Sequence, residues 1–153
     1  MVGAGEVGSY VAARLSREGN DVVVVDERRD PLSRLERDND VLTVAGDATN
    51  PSTLAEAEVD KAEVLVAVTQ SFKTNLLVCL QARQARGERE LSTIARIDDP
   101  ELRGPAGRKI REAMGVHLTL LHYSHPTRLR RRGDARERMK KQGRAGGGGG
   151  GGG

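Results

Sequence analysis

The chain has 153 residues, of which 37% are apolar and 31% are charged, a balance that fits a single globular domain. It contains no run of about 18 apolar residues and no basic segment followed by an apolar one at its start, so we expect neither a transmembrane helix nor a signal peptide. Cys79 is the only cysteine, which excludes an internal disulfide and favours a cytoplasmic protein.

The net charge of +3 is distributed unevenly. Residues 126–153 carry nine Lys or Arg and only two Asp or Glu, so the remainder of the chain is acidic. The three aromatic residues, Tyr10, Phe72 and Tyr123, are too few to form stacking platforms for bases. We therefore expect no specific nucleic-acid partner. The basic segment fits either a surface for nucleic acid or anionic lipid or a solvated tail.

Strand and helix patterns alternate along the first 121 residues. Val7, Tyr10, Val11 and Leu15 recur at helical spacing, and Gly19 is placed to end that helix. The apolar β-branched run 22–25 is typical of a strand that is buried on both faces of a parallel sheet. Further strands are predicted at 41–45, 64–68, 93–97 and 117–121.

Three predicted helices begin with a capping residue followed by proline, at Asp30-Pro31, Asn50-Pro51 and Asp99-Pro100. Another helix is predicted at 108–114, ending at Gly115. The longest is predicted at 73–86, before Gly87, with an apolar side made of Leu76, Leu77, Leu80 and Ala85.

This alternation predicts an α/β fold, a doubly wound parallel sheet of the Rossmann type with strand order 3-2-1-4-5-6. Only Met1 and Val2 remain of the first strand, which would be the central one, where about five apolar residues are usual. We therefore expect the first strand to be truncated. We expect an upstream in-frame segment of about three to five residues, rich in Val and Ile, that a late start assignment has left out.

A glycine fingerprint follows this short strand. Gly3, Gly5 and Gly8 form a G-x-G-x-x-G pattern that opens the first helix. In such a loop the glycines allow a tight turn, close approach of the backbone to a pyrophosphate, and close packing of the helix on the strand. The helix N-terminus then favours phosphate. Alone, the pattern fits a ligand-free glycine turn about equally well.

Asp26 strengthens the prediction of nucleotide binding. It ends the 22–25 strand and lies 18 residues after Gly8, close to the spacing of about 20 that is usual for a ribose-binding acid. A carboxylate here would accept hydrogen bonds from the ribose hydroxyls and repel a 2′-phosphate. It therefore favours NAD(H) or a simple adenine nucleotide over NADP, a preference that Arg28 and Arg29 weaken slightly. An ordinary acid at a strand end is the alternative.

Five segments in a fixed order resemble the N-terminal half of the RCK domain, the Trk-type NAD-binding domain of bacterial potassium channels and transporters. They are GAGEVG, VVVVDE, VAGDATNPSTL, VLVAVTQSFKTNLL and TIARIDDPE, and the resemblance runs from Met1 to about Leu121. It implies a cytoplasmic regulatory subunit at the inner face of the membrane, a membrane potassium channel or transporter as partner, and a homo-oligomer. NAD(H) is the implied ligand, with ATP, ADP or AMP as alternatives.

The resemblance also implies a role for each matching position. The glycine loop would hold phosphate, and Asp26 would hold the adenosine ribose. The GDAT turn would border the adenine, and Thr69 to Asn75 would line the crevice. Arg96 would reach the phosphates or a neighbouring subunit, or it would instead pair with Asp98 or Asp99. The implied cofactor-binding residues are Gly3, Gly5, Glu6, Val7, Gly8, Asp26, Glu27, Asp47, Ala48, Thr69, Asn75 and Arg96.

No catalytic set stands out, and we expect a protein that is not an enzyme. Tyr123 is not followed by Lys four positions later, and Cys79 lies in an apolar helical stretch typical of a buried residue. His117, His122 and His125 lack a nearby Cys or acid, so no metal site is expected. Two alternatives remain, a small NAD-dependent oxidoreductase fragment without its substrate domain and a ligand-free remnant.

The predicted organisation has three parts. Residues 1–122 form the nucleotide-binding domain, 123–145 form a basic tail compatible with a helix, and 146–153 form a disordered polyglycine segment. The family's C-terminal subdomain has no counterpart, which fits either a standalone sensor or a truncated subunit.

Overall fold

The computed structural model describes residues 1–120, in which strands and α-helices alternate. The strands are β1 (Val23–Asp26), β2 (Leu42–Ala45), β3 (Val64–Ala67), β4 (Ser92–Arg96) and β5 (Leu118–Leu120). The helices are α1 (Glu6–Arg17), α2 (Arg29–Asp38), α3 (Pro51–Glu56), α4 (Phe72–Arg86), α5 (Pro100–Arg103) and α6 (Arg108–Ala113). The predictions for 123–145 and 146–153 concern residues outside this range.

All strands pair in parallel, and the short N-terminal segment joins the two halves of the sheet. β1 pairs with β2, while β4 lies between β3 and β5. Val2 bridges Val25 on one side and Ala67 on the other. The order across the sheet is therefore β2-β1-N-terminal segment-β3-β4-β5. This confirms the doubly wound prediction, with the N-terminal segment at the centre of the sheet.

Each face of the sheet carries its own apolar core. Val24 is buried in a smaller core that α1 and α2 cover. The neighbouring Val25 is buried in a larger core on the side of α3 and α4. Since successive side chains of a strand point to opposite faces, this division explains why the β1 run is apolar throughout.

Two helices bury a different face from the one that their apolar residues predict. In α1, Gly8 and Ala12 are buried, whereas Val7 and Tyr10 are 43% and 70% exposed. In α4, the buried residues are Asn75, Leu76, Val78, Cys79 and Ala82, whereas Leu77 and Ala85 are exposed. In α1, the small residues Gly8 and Ala12 let the helix axis approach the sheet closely, and this close approach sets the buried face. The predicted face was wrong for Val7, Tyr10, Leu77 and Ala85.

The three cap-plus-proline predictions have different outcomes. Asp99 caps α5 as predicted, because its carboxylate accepts hydrogen bonds from the backbone N–H groups of Glu101 and Leu102. Asn50 precedes α3 but makes no side-chain capping bond. α2 begins at Arg29, before the predicted start at Asp30-Pro31. A proline is tolerated there because first-turn N–H groups have no intrahelical partner.

A slot lies between β1 and β3 next to the N-terminal segment. The amino group of Met1 donates a hydrogen bond to the Val23 carbonyl oxygen at 2.9 Å. Beyond it, a cavity of about 670 Å³ is lined largely by apolar residues, including Val22, Val23, Val64 and Leu65. Burial lowers the pKa of the Met1 amino group to about 6. The Met1 amino group therefore lies between β1 and β3, at a position that a strand residue could occupy.

We expect this amine to make the stability depend on pH. Its pKa falls from 8.0 unfolded to about 6 folded, so the folded state binds fewer protons between these values. Stability should be retained above pH 8 and decline as the pH falls towards 6, by about 2–3 kcal/mol in all. Urea unfolding from pH 5.5 to 8.5, of the free chain and an α-N-acetylated chain, measures the difference. A constant difference between the two chains would contradict this assignment.

Candidate nucleotide-binding site

The predicted site residues lie at one edge of the sheet, where parallel strands end. Gly3 follows the N-terminal segment, Asp26 ends β1, Asp47 follows β2, Thr69 follows β3 and Arg96 ends β4. The N-terminal segment is flanked by β1 and β3. From β1 the chain continues to β2 at one lateral edge of the sheet, and from β3 it continues to β4 and β5 at the other. This is the point where the strand order reverses, at which doubly wound sheets bind their ligands.

Gly3 and Gly8 are required by the packing of the loop itself. Gly3 has φ +102°, and a Cβ there would meet the Thr69 backbone nitrogen at 3.1 Å. A Cβ on Gly8 would overlap the Gly3 carbonyl oxygen. The first turn of α1 is therefore pressed against the loop, and the loop against the end of β3. These two glycines explain the first and third positions of the fingerprint without a ligand.

Gly5 is different, because nothing in the protein lies within 4 Å of the place that its Cβ would occupy. The loop is open on this side. The first helical hydrogen bond runs from the Ser9 N–H to the Gly5 carbonyl oxygen at 2.9 Å, so the N–H groups of Glu6, Val7 and Gly8 precede the helical pattern. An open loop beside free helical N–H groups has the chemistry of a phosphate cradle.

Asp26 is tied directly to this loop. Its Oδ2 accepts a hydrogen bond from the Ala4 N–H at 2.7 Å, and its Oδ1 accepts one from the Arg28 N–H at 2.8 Å. The Arg28 guanidinium also contacts the carboxylate, with Nε 3.1 Å from Oδ1 and Nη2 3.3 Å from Oδ2. The Asp26 carboxylate, which is predicted to bind ribose, therefore has a fixed orientation next to the predicted phosphate loop.

The carboxyl group of Asp26 is held in its charged form. Burial raises its pKa, but the hydrogen bonds from the Arg28 side chain and from the Ala4 and Arg28 backbones, with the charge of the guanidinium, outweigh burial. The net effect holds the pKa of Asp26 below its ordinary value. At neutral pH the group is an acceptor only, as a ribose diol requires.

The GDAT turn follows β2 at the same edge. Asp47 Oδ1 accepts hydrogen bonds from the Thr49 N–H at 2.8 Å and from the Thr49 hydroxyl at 2.7 Å, and these bonds lower the pKa of Asp47. The Gly46 N–H donates to the Asp26 carbonyl oxygen at 3.0 Å, which joins the turn to the end of β1. The Ala48 side chain is buried in the larger core, so only its backbone can border a ligand.

Asn75 joins the ends of β3 and β4. Its side chain is fully buried at the start of α4, and its Oδ1 accepts hydrogen bonds from the N–H and hydroxyl groups of Thr69 at 3.0 and 2.6 Å. Its Nδ2 donates to the carbonyl oxygens of Thr69 and Arg96 at 3.1 and 2.8 Å. With every hydrogen-bonding position used internally, Asn75 shapes the crevice wall through Thr69.

The remaining predicted residues have simpler surroundings. Arg96 is 15% exposed and pairs with Asp98, its Nη2 lying 3.2 Å from the Asp98 Oδ2, which is one of the partners that the sequence suggested. Glu27 is exposed beside Asp26. Arg28 is the contact that sequence reasoning missed, although an arginine two positions after a strand-end acid is within reach of that acid.

Other chemistry has little support in residues 1–120. That range holds no group of three His, Cys, Asp or Glu that could hold a metal ion. Burial raises the pKa of the Cys79 thiol to about 12, which makes it a poor nucleophile and agrees with its predicted role as a buried small residue. No helix in residues 1–120 is long and apolar enough to cross a membrane. His122 and His125 lie outside the described residues.

The strand order, the glycine loop and the strand-end acid together define a Rossmann-type domain of the dinucleotide-binding class. The chain belongs to the TrkA-N domain family, whose profile matches residues 1–119. This confirms the family resemblance and nearly its whole predicted extent.

Two curated relatives are potassium uptake proteins. The Trk system potassium uptake protein TrkA of Halomonas elongata is 40% identical over 79 residues, which cover 52% of this chain and 17% of that protein. A TrkA homologue of Pyrococcus abyssi is 32% identical over 100 residues, which cover 65% of this chain and 43% of that protein. The chain thus matches less than half the length of either relative.

Solved structures share the fold. The TrkA-N domain of the inner membrane protein YbaL from Escherichia coli superposes with a TM-score of 0.65 at 21% identity, over 92% of each chain. The GsuK channel bound to NAD and GsuK bound to ADP each give a TM-score of 0.61 at 21% identity over 78% of this chain, covering 20% and 30% of those chains.

Proposed function

We propose that this domain binds NAD(H) or an adenine nucleotide and regulates a membrane potassium channel or transporter. The observation that carries the proposal is the hydrogen bond from the Ala4 N–H to Asp26, which holds an ionised carboxylate beside an open glycine loop. The similarity to the TrkA potassium uptake proteins supports potassium uptake as the regulated process. The GsuK structures support NAD and ADP as ligands.

The chain's own groups would divide the recognition of a nucleotide. The N–H groups of Glu6, Val7 and Gly8 would bind phosphate oxygens, and Asp26 would accept hydrogen bonds from the ribose hydroxyls. Asp47 and the backbone of Ala48 would border the base, while Thr69 would line the crevice and Arg96 would lie near its far side. A 2′-phosphate would meet the charge of Asp26, so NADH is favoured over NADPH.

The regulatory step would be a shift between arrangements of associated domains. A nucleotide that binds one arrangement more tightly favours it by the difference in binding free energy, and a membrane partner that contacts the domains responds to the change. We propose a homo-oligomer at the cytoplasmic face of the membrane for this purpose, with no catalytic role. The oxidoreductase alternative gains no catalytic group from residues 1–120.

Replacing Asp26 should weaken nucleotide binding. Asp26→Asn keeps an acceptor for the Ala4 N–H but loses the charge, and we expect NADH and ADP to bind at least about tenfold more weakly, since hydrogen bonds to charged groups contribute about 1.5–3 kcal/mol each. Isothermal titration calorimetry with NADH, NADPH, ADP and ATP measures this. Asp21→Asn, an exposed acid before β1, is the control. Equal affinities of wild type and Asp26→Asn would contradict the assigned site.

A further inference from the structure

We propose that the Arg28 side chain competes with the nucleotide for Asp26, so that a ribose enters only when this guanidinium leaves. The inference rests on the proposed function, because it assigns a gate to the same site. It makes Arg28 a determinant of affinity for ligands with a free ribose diol.

The hydrogen bonds of the carboxylate carry this inference. An ionised carboxylate has about four acceptor positions, two on each oxygen. Oδ1 of Asp26 accepts from the Arg28 N–H and Nε, and Oδ2 accepts from the Ala4 N–H and the Arg28 Nη2. All four positions are used within the protein, and the Asp26 side chain is only 10% exposed. No acceptor position is left for a hydroxyl.

Two of the four donors can leave and two cannot. The Ala4 and Arg28 N–H groups belong to the backbone of the glycine loop and of the turn after β1. The two guanidinium donors belong to a side chain that is 64% exposed. Departure of the guanidinium would free one position on each oxygen, and a ribose diol brings two hydroxyl donors. The backbone donors would keep the carboxylate oriented meanwhile.

A cleft next to the glycine loop can accommodate the displaced Arg28 side chain. Arg28 lines a cleft of about 480 Å³ between α1 and α2, next to the glycine loop. Two carboxylates, Glu6 and Asp38, line the same cleft and offer alternative partners for a guanidinium. The guanidinium of this ion pair is largely exposed to solvent, which weakens the pair, so the exchange opposes nucleotide binding without preventing it.

Removing the guanidinium should strengthen binding only for ligands that carry the diol. Arg28→Met keeps the apolar stem and loses the two donors, and Arg29→Met is the matched control, since Arg29 is exposed and adjacent. We compare ADP with 2′,3′-dideoxy-ADP by calorimetry. The loss of one positive charge affects the phosphates of both ligands equally, so the ratio of the two affinities isolates the diol.

We expect the ADP to dideoxy-ADP affinity ratio to rise by about two- to fivefold in Arg28→Met, the range for releasing an ion pair with a solvent-exposed cation, and to stay constant in Arg29→Met. In the Asp26→Asn background the effect of Arg28→Met should vanish. ADP binding with an unchanged or reduced ratio in Arg28→Met would overturn the gate alone. Absence of ADP binding in wild type would overturn the gate as proposed for ADP. Absence of binding of NADH, ATP and ADP alike would overturn the proposed function as well.

Discussion

Replacing Gly8 with alanine is expected to destabilise the domain by about 2 kcal/mol or more and to abolish nucleotide binding. The new Cβ would overlap the Gly3 carbonyl oxygen, which is backbone and cannot rotate away. Overpacking of this kind outweighs the gain of up to about 1 kcal/mol that alanine brings to a helix interior. Urea unfolding measures the stability, and calorimetry with ADP measures the binding.

Gly5→Ala is the matched comparison, because its Cβ would meet no protein atom within 4 Å and its φ of −71° suits any residue. Its stability should remain within about 0.5 kcal/mol of wild type. Its affinity for ADP should nevertheless fall, since the Cβ enters the open side of the loop where a pyrophosphate would approach. If Gly5→Ala binds ADP as wild type does, the loop does not contact phosphate in the proposed way.

Extending the chain upstream of Met1 with an apolar strand is expected to raise the free energy of unfolding by about 3 kcal/mol. The Val25 and Val68 N–H groups donate to Met1 and Val2, and alternate residues of a strand face the same neighbour. The N–H groups of Val23 and Val66 therefore point into the slot. A Met-Ile-Val-Ile extension would pair with them, bury apolar side chains and move the amino group out of the sheet.

A Met-Gly-Ser-Gly extension separates these contributions. It also moves the amino group but offers no side chains to bury, so it should recover only the part due to the amine. Thermal and urea unfolding of the three chains at pH 7 measure both effects. If the chain with the apolar extension unfolds at no higher temperature or urea concentration than the chain with the Gly-Ser extension, apolar burial in the slot contributes nothing to stability.

Much of the fold was predictable because its signals are local. The β-branched run that becomes β1, the glycine after α4 at Gly87 and the Asp99 cap each act within a few residues. The alternation of strands and helices then leaves few topologies, since crossovers are right-handed and parallel strands need covering helices. The bridges of Val2 to Val25 and Ala67 confirm the central place that the sequence predicts for the N-terminal segment.

The sequence was enough to predict where the candidate site residues lie in the fold, but not which atoms they contact. Parallel strands bring Gly3, Asp26 and Asp47 to one edge whatever the details of packing. Which atoms Asp26 binds depends on distances between segments 22 residues apart, as the bond from the Ala4 N–H shows. For the same reason the internal use of Asn75 and the pairing of Arg96 with Asp98 emerge only from the three-dimensional arrangement.

The amino-acid sequence was sufficient to assign the class of this protein, an α/β domain of the TrkA-N family with a glycine loop and an acid at the spacing for a nucleotide. Spacing along the chain suffices for this, because hydrophobic period and turn residues act locally. That Gly8 and Ala12 face the sheet, and Val7 and Tyr10 do not, follows from the packing of the whole fold. The hydrogen bonds from the Arg28 guanidinium to the Asp26 carboxylate also emerge only from the fold. Close packing and the sharing of acceptor positions depend on which atoms the whole fold brings together.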